Sequence, residues 1–257
     1  MGREREGDGG PDGAGDPGAG WEAVPASGGH GGPASGGGGG AAPALPDPGS
    51  VPEDFLFLGF THAPLAALGP GLRVGVWTRG CELSCPGCLS PELQRAGPED
   101  AVRASDLAAW VAGAARACGA AGLTVSGGEP FLRPEALRRL LALSREGGVG
   151  DVLVYSGRRV GELVSAFPWI PGLVSALVDG PFEEDRPTES PWKGSEGQTL
   201  TVFDPSLADI YSRWERSEER PLQFAPFPGG LRILGIPRIG TYDSIALTCG
   251  PGLPDGG

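Results

Sequence analysis

Three cysteines fall within one short loop, RGCELSCPGCLSPEL, as Cys81, Cys85 and Cys88, with the spacing C-x3-C-x2-C. Thiolates this close can ligate three irons of one cubane cluster if the loop wraps around it. Gly80, Pro86 and Gly87 suit such wrapping, because glycine tolerates unusual dihedrals and proline fixes one. A structural zinc site wants four ligands, usually as two separated pairs, and no second pair exists. The only histidines are His30, in a Gly-rich stretch, and His62, which has no ligand type near it in sequence. A ferredoxin needs a fourth cysteine at a set spacing. Cys118 falls on the apolar face of an expected helix and reads as a buried small hydrophobe. Cys249 lies in a Gly/Pro-rich end. Taken alone, the triplet fits a cluster with three protein ligands and an open fourth iron. It also fits an incomplete zinc knuckle.

Several elements must position that loop. Leu72–Trp77 reads as a strand leading into it. Ser105–Cys118 reads as a helix capped by Ser105, with Leu107, Trp110, Val111, Ala114 and Cys118 on one face. Leu123–Val125 is a short strand ending at the turn SGGEP. Pro134–Glu146 is the clearest helix, with proline in its first turn, a stripe of Leu137, Leu140 and Leu141, and Gly147 at its end. Asp151–Tyr155 is a strand, and Gly161–Phe167 a short helix stopped by Pro168. Val174–Val178 is the next strand, before a Pro- and Glu-rich loop to about Glu196. Thr199–Phe203 and Leu231–Gly235 complete the strands. This rhythm predicts a parallel sheet with helices outside. Such sheets bind ligands at the carboxyl ends of their strands. The cysteine loop, SGGEP, Ser156–Gly157 and Asp179–Gly180 all follow expected strands and therefore share one rim. On turn chemistry alone, G-G-E-P and Asp179–Gly180 are also good plain turns.

Composition limits the remaining choices. The chain has 257 residues and a net charge of −12. Its first fifty residues are mostly Gly, Ala, Pro and Asp, with too little apolar surface to offset the entropy of ordering. They read as a disordered tail, without the basic and apolar runs of a signal peptide. No apolar stretch approaches the roughly 20 residues that a membrane helix needs. No basic stripe is present, which argues against nucleic acid as a partner. Five cysteines, an odd count without an export signal, point to a reducing cytoplasm and a metal site rather than disulfides.

VWTRGCELSCPGC followed by SGGEP resembles the radical S-adenosylmethionine superfamily. CPGC followed by LSPEL is similar to the activating proteins of anaerobic ribonucleotide reductase and pyruvate formate-lyase. LVYSG, LVDGPF, WKGSEGQTL and LGIPRIG resemble later segments of that group, so the likeness runs from about Gly59 to Gly240. Leu89 stands where those proteins often have an aromatic residue, and Gly197 where an asparagine would precede Gln198. The acidic loop Glu183–Glu196 and the N-terminal tail stand as additions.

The resemblance implies a partial (β/α)6-type barrel with parallel strands and the cluster at their C-terminal ends. The domains then read as a disordered tail over 1–52, a radical S-adenosylmethionine domain over 53–240 and a C-terminal tail over 241–257. Cys81, Cys85 and Cys88 would hold a [4Fe-4S] cluster. Gly87, Cys88 and Leu89 would meet the adenosyl portion of S-adenosylmethionine, Gly127 and Gly128 its methionyl amine. Glu129 could accept from that amine, Pro130 would fix the turn, and Ser156 and Asp179 would be polar contacts. The implied reaction is reductive cleavage to a 5′-deoxyadenosyl radical, fed by a low-potential electron donor. The radical's expected target is a glycine of a partner glycyl-radical enzyme. Modification of a peptide or small molecule is the alternative, and a non-catalytic iron–sulfur or zinc module a third reading. The third requires a fourth ligand, Cys118 or Cys249.

Overall fold

The computed structural model describes residues 51–227 and 230–238. The tails expected over 1–52 and 241–257, apart from Val51 and Pro52, and Cys249 with them, lie outside these residues. Nine strands are described: β1 (Phe55–Leu65), β2 (Arg73–Thr78), β3 (Ala101–Arg103), β4 (Gly122–Gly127), β5 (Asp151–Ser156), β6 (Ala176–Asp179), β7 (Thr199–Val202), β8 (Gln223–Phe227) and β9 (Gly230–Leu234). The helices are α1 (Ala104–Cys118), α2 (Pro134–Glu146), α3 (Val160–Ala166), α4 (Ile170–Leu173) and α5 (Ala208–Glu215). Seven strands form one sheet in the order β3-β1-β2-β4-β5-β6-β7, and β8 and β9 form a separate hairpin.

The four central strands, β2, β4, β5 and β6, are parallel. The edges are not: β1 runs antiparallel to β2 and β3, and β7 antiparallel to β6. The expected all-parallel sheet is corrected at these three edge pairings. β1, β3 and β8 were not anticipated, nor were α4 and α5. Register shifts between Leu58 and Phe60 and between His62 and Leu65 break the period-two pattern of β1, because a bulge exchanges the inward and outward residues beyond it.

Side chains alternate between the two faces of the central strands. Val74, Val76, Leu123, Val125, Val152, Val154 and Leu177 pack with α1, α2, α3 and α4 in the main core. α2 contributes Leu137, Leu140 and Leu141, all fully buried, each stabilising by about 1.5–3 kcal/mol. The opposite face carries Trp77, Leu153, Tyr155, Ala176 and Val178 and is covered by Trp192, Tyr211 of α5, and the β8–β9 hairpin. Helices are thus not all outside one face: α5 lies with the second.

α2 has the anticipated bounds. α1 begins at Ala104, so Ser105 is not its cap; Arg103 holds the N-cap position without a side-chain bond. The Ala104 amide donates instead to Asp54 O at 2.9 Å, because β3 runs directly into the helix. Cys118, at the other end of α1, is half-exposed rather than buried.

Candidate cluster and cofactor site

The sheet brings the cysteine loop and the GGEP turn into contact. The Arg79 amide donates to Phe57 O at 2.7 Å, Gly80 to Leu93 O at 2.9 Å and Cys81 to Gln94 O at 2.9 Å. From the other side, Gly128 donates to Thr78 O and Glu129 to Gly80 O, both at 2.8 Å. The loop is therefore laced to β1, to the short 3-10 turn Pro91–Leu93 and to the end of β4. Close approach makes the two glycines necessary. A Cβ on Gly127, whose φ is +111°, would lie 2.3 Å from Thr78 O, and one on Gly128 would lie 2.3 Å from Gly80 O. Their missing side chains make room for the cysteine loop as well as for any ligand.

Glu129 is 1% exposed, and both of its oxygens are engaged. Oε1 accepts from the Phe131 amide at 3.0 Å and the Ser156 hydroxyl at 2.9 Å. Oε2 accepts from Ser156 at 3.0 Å and the Gly157 amide at 2.9 Å. Burial pushes this carboxyl up from its usual range, against these bonds and the charge of Arg158, which pull it down. The residue ties the end of β4 to the end of β5. Asp179, also buried, accepts from the Val160 amide at 3.1 Å and Thr199 Oγ1 at 2.6 Å, tying β6 to α3 and β7. Glu129→Ala leaves two amides and a hydroxyl without their acceptor. At roughly 1–3 kcal/mol for a stranded buried group, an overall loss of about 3 kcal/mol is expected as a lower urea midpoint at unchanged m-value.

One cleft opens at this rim. Of the residues singled out from sequence, Cys81, Cys85, Cys88, Leu89, Gly127, Gly128 and Ser156 line it. Gly87, Glu129, Pro130 and Asp179 stand behind the lining. Trp77, Gln94, Phe182, Gln198 and Ile236 line it too; all but Gln94 lie in segments quoted for the resemblance, but none was given a site role there. Gln198 Oε1 accepts from the Gly194 amide at 2.7 Å and its amide nitrogen donates to Gly180 O at 3.0 Å. These bonds shape the part of the cleft that Gly180, Gly194 and Gln198 line. Trp77 was legible in principle, since alternation along RVGVWT puts it on the face of Arg73 and Gly75.

The donor set fits an iron–sulfur cluster. All three cysteines are half-buried free thiols on one cleft wall. Burial pushes the Cys81 thiol up, against the Leu83 and Ser84 amides, whose hydrogen bonds pull it down. Among the described residues no three His, Cys, Asp or Glu side chains gather where one ion could sit. Zinc needs four ligands about 2.0–2.3 Å from one ion, whereas cubane thiolates each take a separate iron. Cys118 is no fourth ligand. α1 ends beside Gly122 at the start of β4, and the cysteine loop leaves β2 at Thr78, paired with Gly127 at the other end of the same strand. Six residues of strand separate them, about 20 Å.

Residues 67–201 match the family described as 4Fe-4S single cluster domain. The chain is similar to the anaerobic ribonucleoside-triphosphate reductase-activating protein of Salmonella typhi, 31% identical over 139 residues, or 51% of this chain and 89% of the relative. The protein of the same description from Escherichia coli (strain K12) is 29% identical over 138 residues, again 51% and 89%. That from Enterobacteria phage T4 is 24% identical over 135 residues, 51% and 85%. The matched span contains the cysteine loop, GGEP and β2 through most of β7. The chain belongs to the 4Fe-4S single cluster domain family, among the radical S-adenosylmethionine activating proteins.

Proposed function

We propose that this protein cleaves S-adenosylmethionine reductively and uses the radical to activate a partner glycyl-radical enzyme by abstracting hydrogen from a backbone glycine. The observation that carries the reading is one cleft shared by three thiols and the Gly127–Gly128 backbone, at the carboxyl ends of parallel strands. In this reading Cys81, Cys85 and Cys88 hold a [4Fe-4S] cluster and leave one iron to the cofactor. When bound, the cluster supplies the electron that splits the carbon–sulfur bond, giving methionine and a 5′-deoxyadenosyl radical.

The chain's residues bind and orient. Leu89 offers apolar surface to the adenosyl group, with Gly87 and Cys88 setting the backbone beside it, and Gly127 and Gly128 present backbone to the methionyl amine. Glu129, Ser156 and Asp179 act mainly by holding three strand ends in register, and Pro130 fixes the turn between them. The sheet with its helices is read as a partial (β/α)6-type barrel over residues 53–240. The named activity of the relatives favours a protein substrate over a small molecule, and the cleft opens to one side where such a partner can cover it. The electron comes from a low-potential donor in the cytoplasm. No helix among the described residues is long and apolar enough to cross a membrane.

The test is electron paramagnetic resonance on an anaerobic mixture of the reconstituted full chain, reductant, S-adenosylmethionine and an anaerobic ribonucleoside-triphosphate reductase from the same organism. A glycyl-radical doublet on the reductase is expected. 5′-Deoxyadenosine without a protein radical would favour a peptide or small-molecule target instead.

A further inference from the structure

The loop between β6 and β7 is acidic, is tied together by its own hydrogen bonds and touches the cysteine loop at Gly87. The Glu183 amide donates to the hydroxyl of fully buried Ser195 at 3.1 Å. Arg186 donates from its backbone to Glu183 O at 3.1 Å and from Nη1 to Glu183 Oε2 at 2.8 Å. Between these two anchors stands Glu184. Its side chain lies flat on Gly87, the residue between Pro86 and the last cysteine of the triplet. A Cβ built on Gly87 would come within 2.5 Å of Glu184 Cδ and 2.7 Å of Oε1. Gly87 also has φ of +64°, a conformation that favours glycine. Among the described residues the Glu184 carboxylate makes no hydrogen bond or ion pair. The nearest arginine in sequence, Arg186, is engaged by Glu183.

A carboxylate without a paired cation among the described residues therefore lies against the segment that joins Cys85 to Cys88. We propose that Glu184 lowers the reduction potential of the cluster that this loop holds. This rests on the function proposed above. The step concerned is the transfer of one electron from a low-potential donor to the oxidised cluster, with no bond made or broken in the protein. That electron adds one negative charge beside the loop. A negative charge nearby opposes it by Coulomb repulsion, and net charge around a cluster is one of the quantities that set its potential. Glu184 is exposed, so salt weakens the effect. The acidic loop thus acts on the cluster as well as walling the cleft.

The experiment is a redox titration of the anaerobically reconstituted full chain, followed by the electron paramagnetic resonance signal of the reduced cluster. Wild type, Glu184→Gln, Glu184→Lys and a control, Glu189→Gln, are compared at low and high salt. Glu189 sits on the same loop and is likewise exposed, but is paired with Arg238 at 3.4 Å. The midpoint is expected to become less negative in Glu184→Gln and to move about twice as far in Glu184→Lys, since Coulomb energy is linear in charge. The shift should shrink at high salt, and Glu189→Gln should match wild type. A Glu184→Gln midpoint equal to wild type, or an equal shift in the Glu189→Gln control, overturns the proposal while leaving the proposed function intact. A wild-type chain that takes up no cluster overturns both.

Discussion

Cys81→Ala, Cys85→Ala and Cys88→Ala, made singly, are each expected to abolish the visible absorption of the reconstituted protein and its bound iron, while Cys118→Ala retains both. A cubane with one iron already lacking a protein ligand has no spare thiolate, so losing one more leaves two corners open. Substitution at these sites costs little packing, because all three thiols are half-buried and face a cleft. Far-UV circular dichroism of the unloaded variants should therefore match wild type, which separates cluster loss from misfolding. Cys118 sits at the far end of the strands, beside Gly122, and is the internal control. Full iron content in any one triplet variant would contradict the ligand assignment.

Arg73→Met is expected to destabilise the fold by about 3–5 kcal/mol, the usual range when one partner of a buried ion pair is removed. Arg73 is 1% exposed and stands at the start of β2, at the opposite rim from the cysteines. Its Nη1 donates to Asp151 Oδ2 at 2.5 Å and to Pro70 O at 3.0 Å, Nη2 to Leu123 O at 2.9 Å and Nε to Thr124 Oγ1 at 2.7 Å. One guanidinium thus ties β2 to β4 and β5. Asp151 also accepts from the Tyr211 hydroxyl at 2.8 Å. Burial pushes the Tyr211 phenol well above its ordinary value, so it stays a neutral donor. Gly122 makes room for this arrangement, since a Cβ there would lie 2.6 Å from Arg73 Nη1. Domains have only about 5–15 kcal/mol of stability in total, so the loss should be plain in urea unfolding. Arg73→Met combined with Asp151→Leu and Tyr211→Phe should recover part of it, because apolar replacement of a whole buried pair is often close to neutral and Tyr211 would otherwise lose its acceptor. A single-variant loss below about 1 kcal/mol would contradict this role.

Much of the site was legible because its signals are short and contiguous. The triplet needs only spacing, and SGGEP only its position after a strand. Pro134–Glu146 was legible to the residue because proline, a leucine stripe and glycine mark its start, face and end. The bulged β1 was not, since its pattern changes phase partway along. The start of α1 was misread because the carbonyl of Asp54, just before β1 and about fifty residues earlier, does the work assigned to Ser105. The carboxylates show the same limit. Sequence marks Glu129 and Asp179 as polar groups at strand ends. Only the fold shows that Ser156 and Gly157, or Val160 and Thr199, already occupy them. The contact of Glu184 with Gly87 spans almost a hundred residues and leaves no local trace.

The most direct measurement is chromatographic. The full chain is reconstituted with iron and sulfide under anaerobic conditions, reduced with dithionite and given S-adenosylmethionine. The account predicts 5′-deoxyadenosine and methionine in equal amounts, with neither formed by Cys85→Ala. A fully loaded, reduced wild-type cluster that yields no 5′-deoxyadenosine would contradict it.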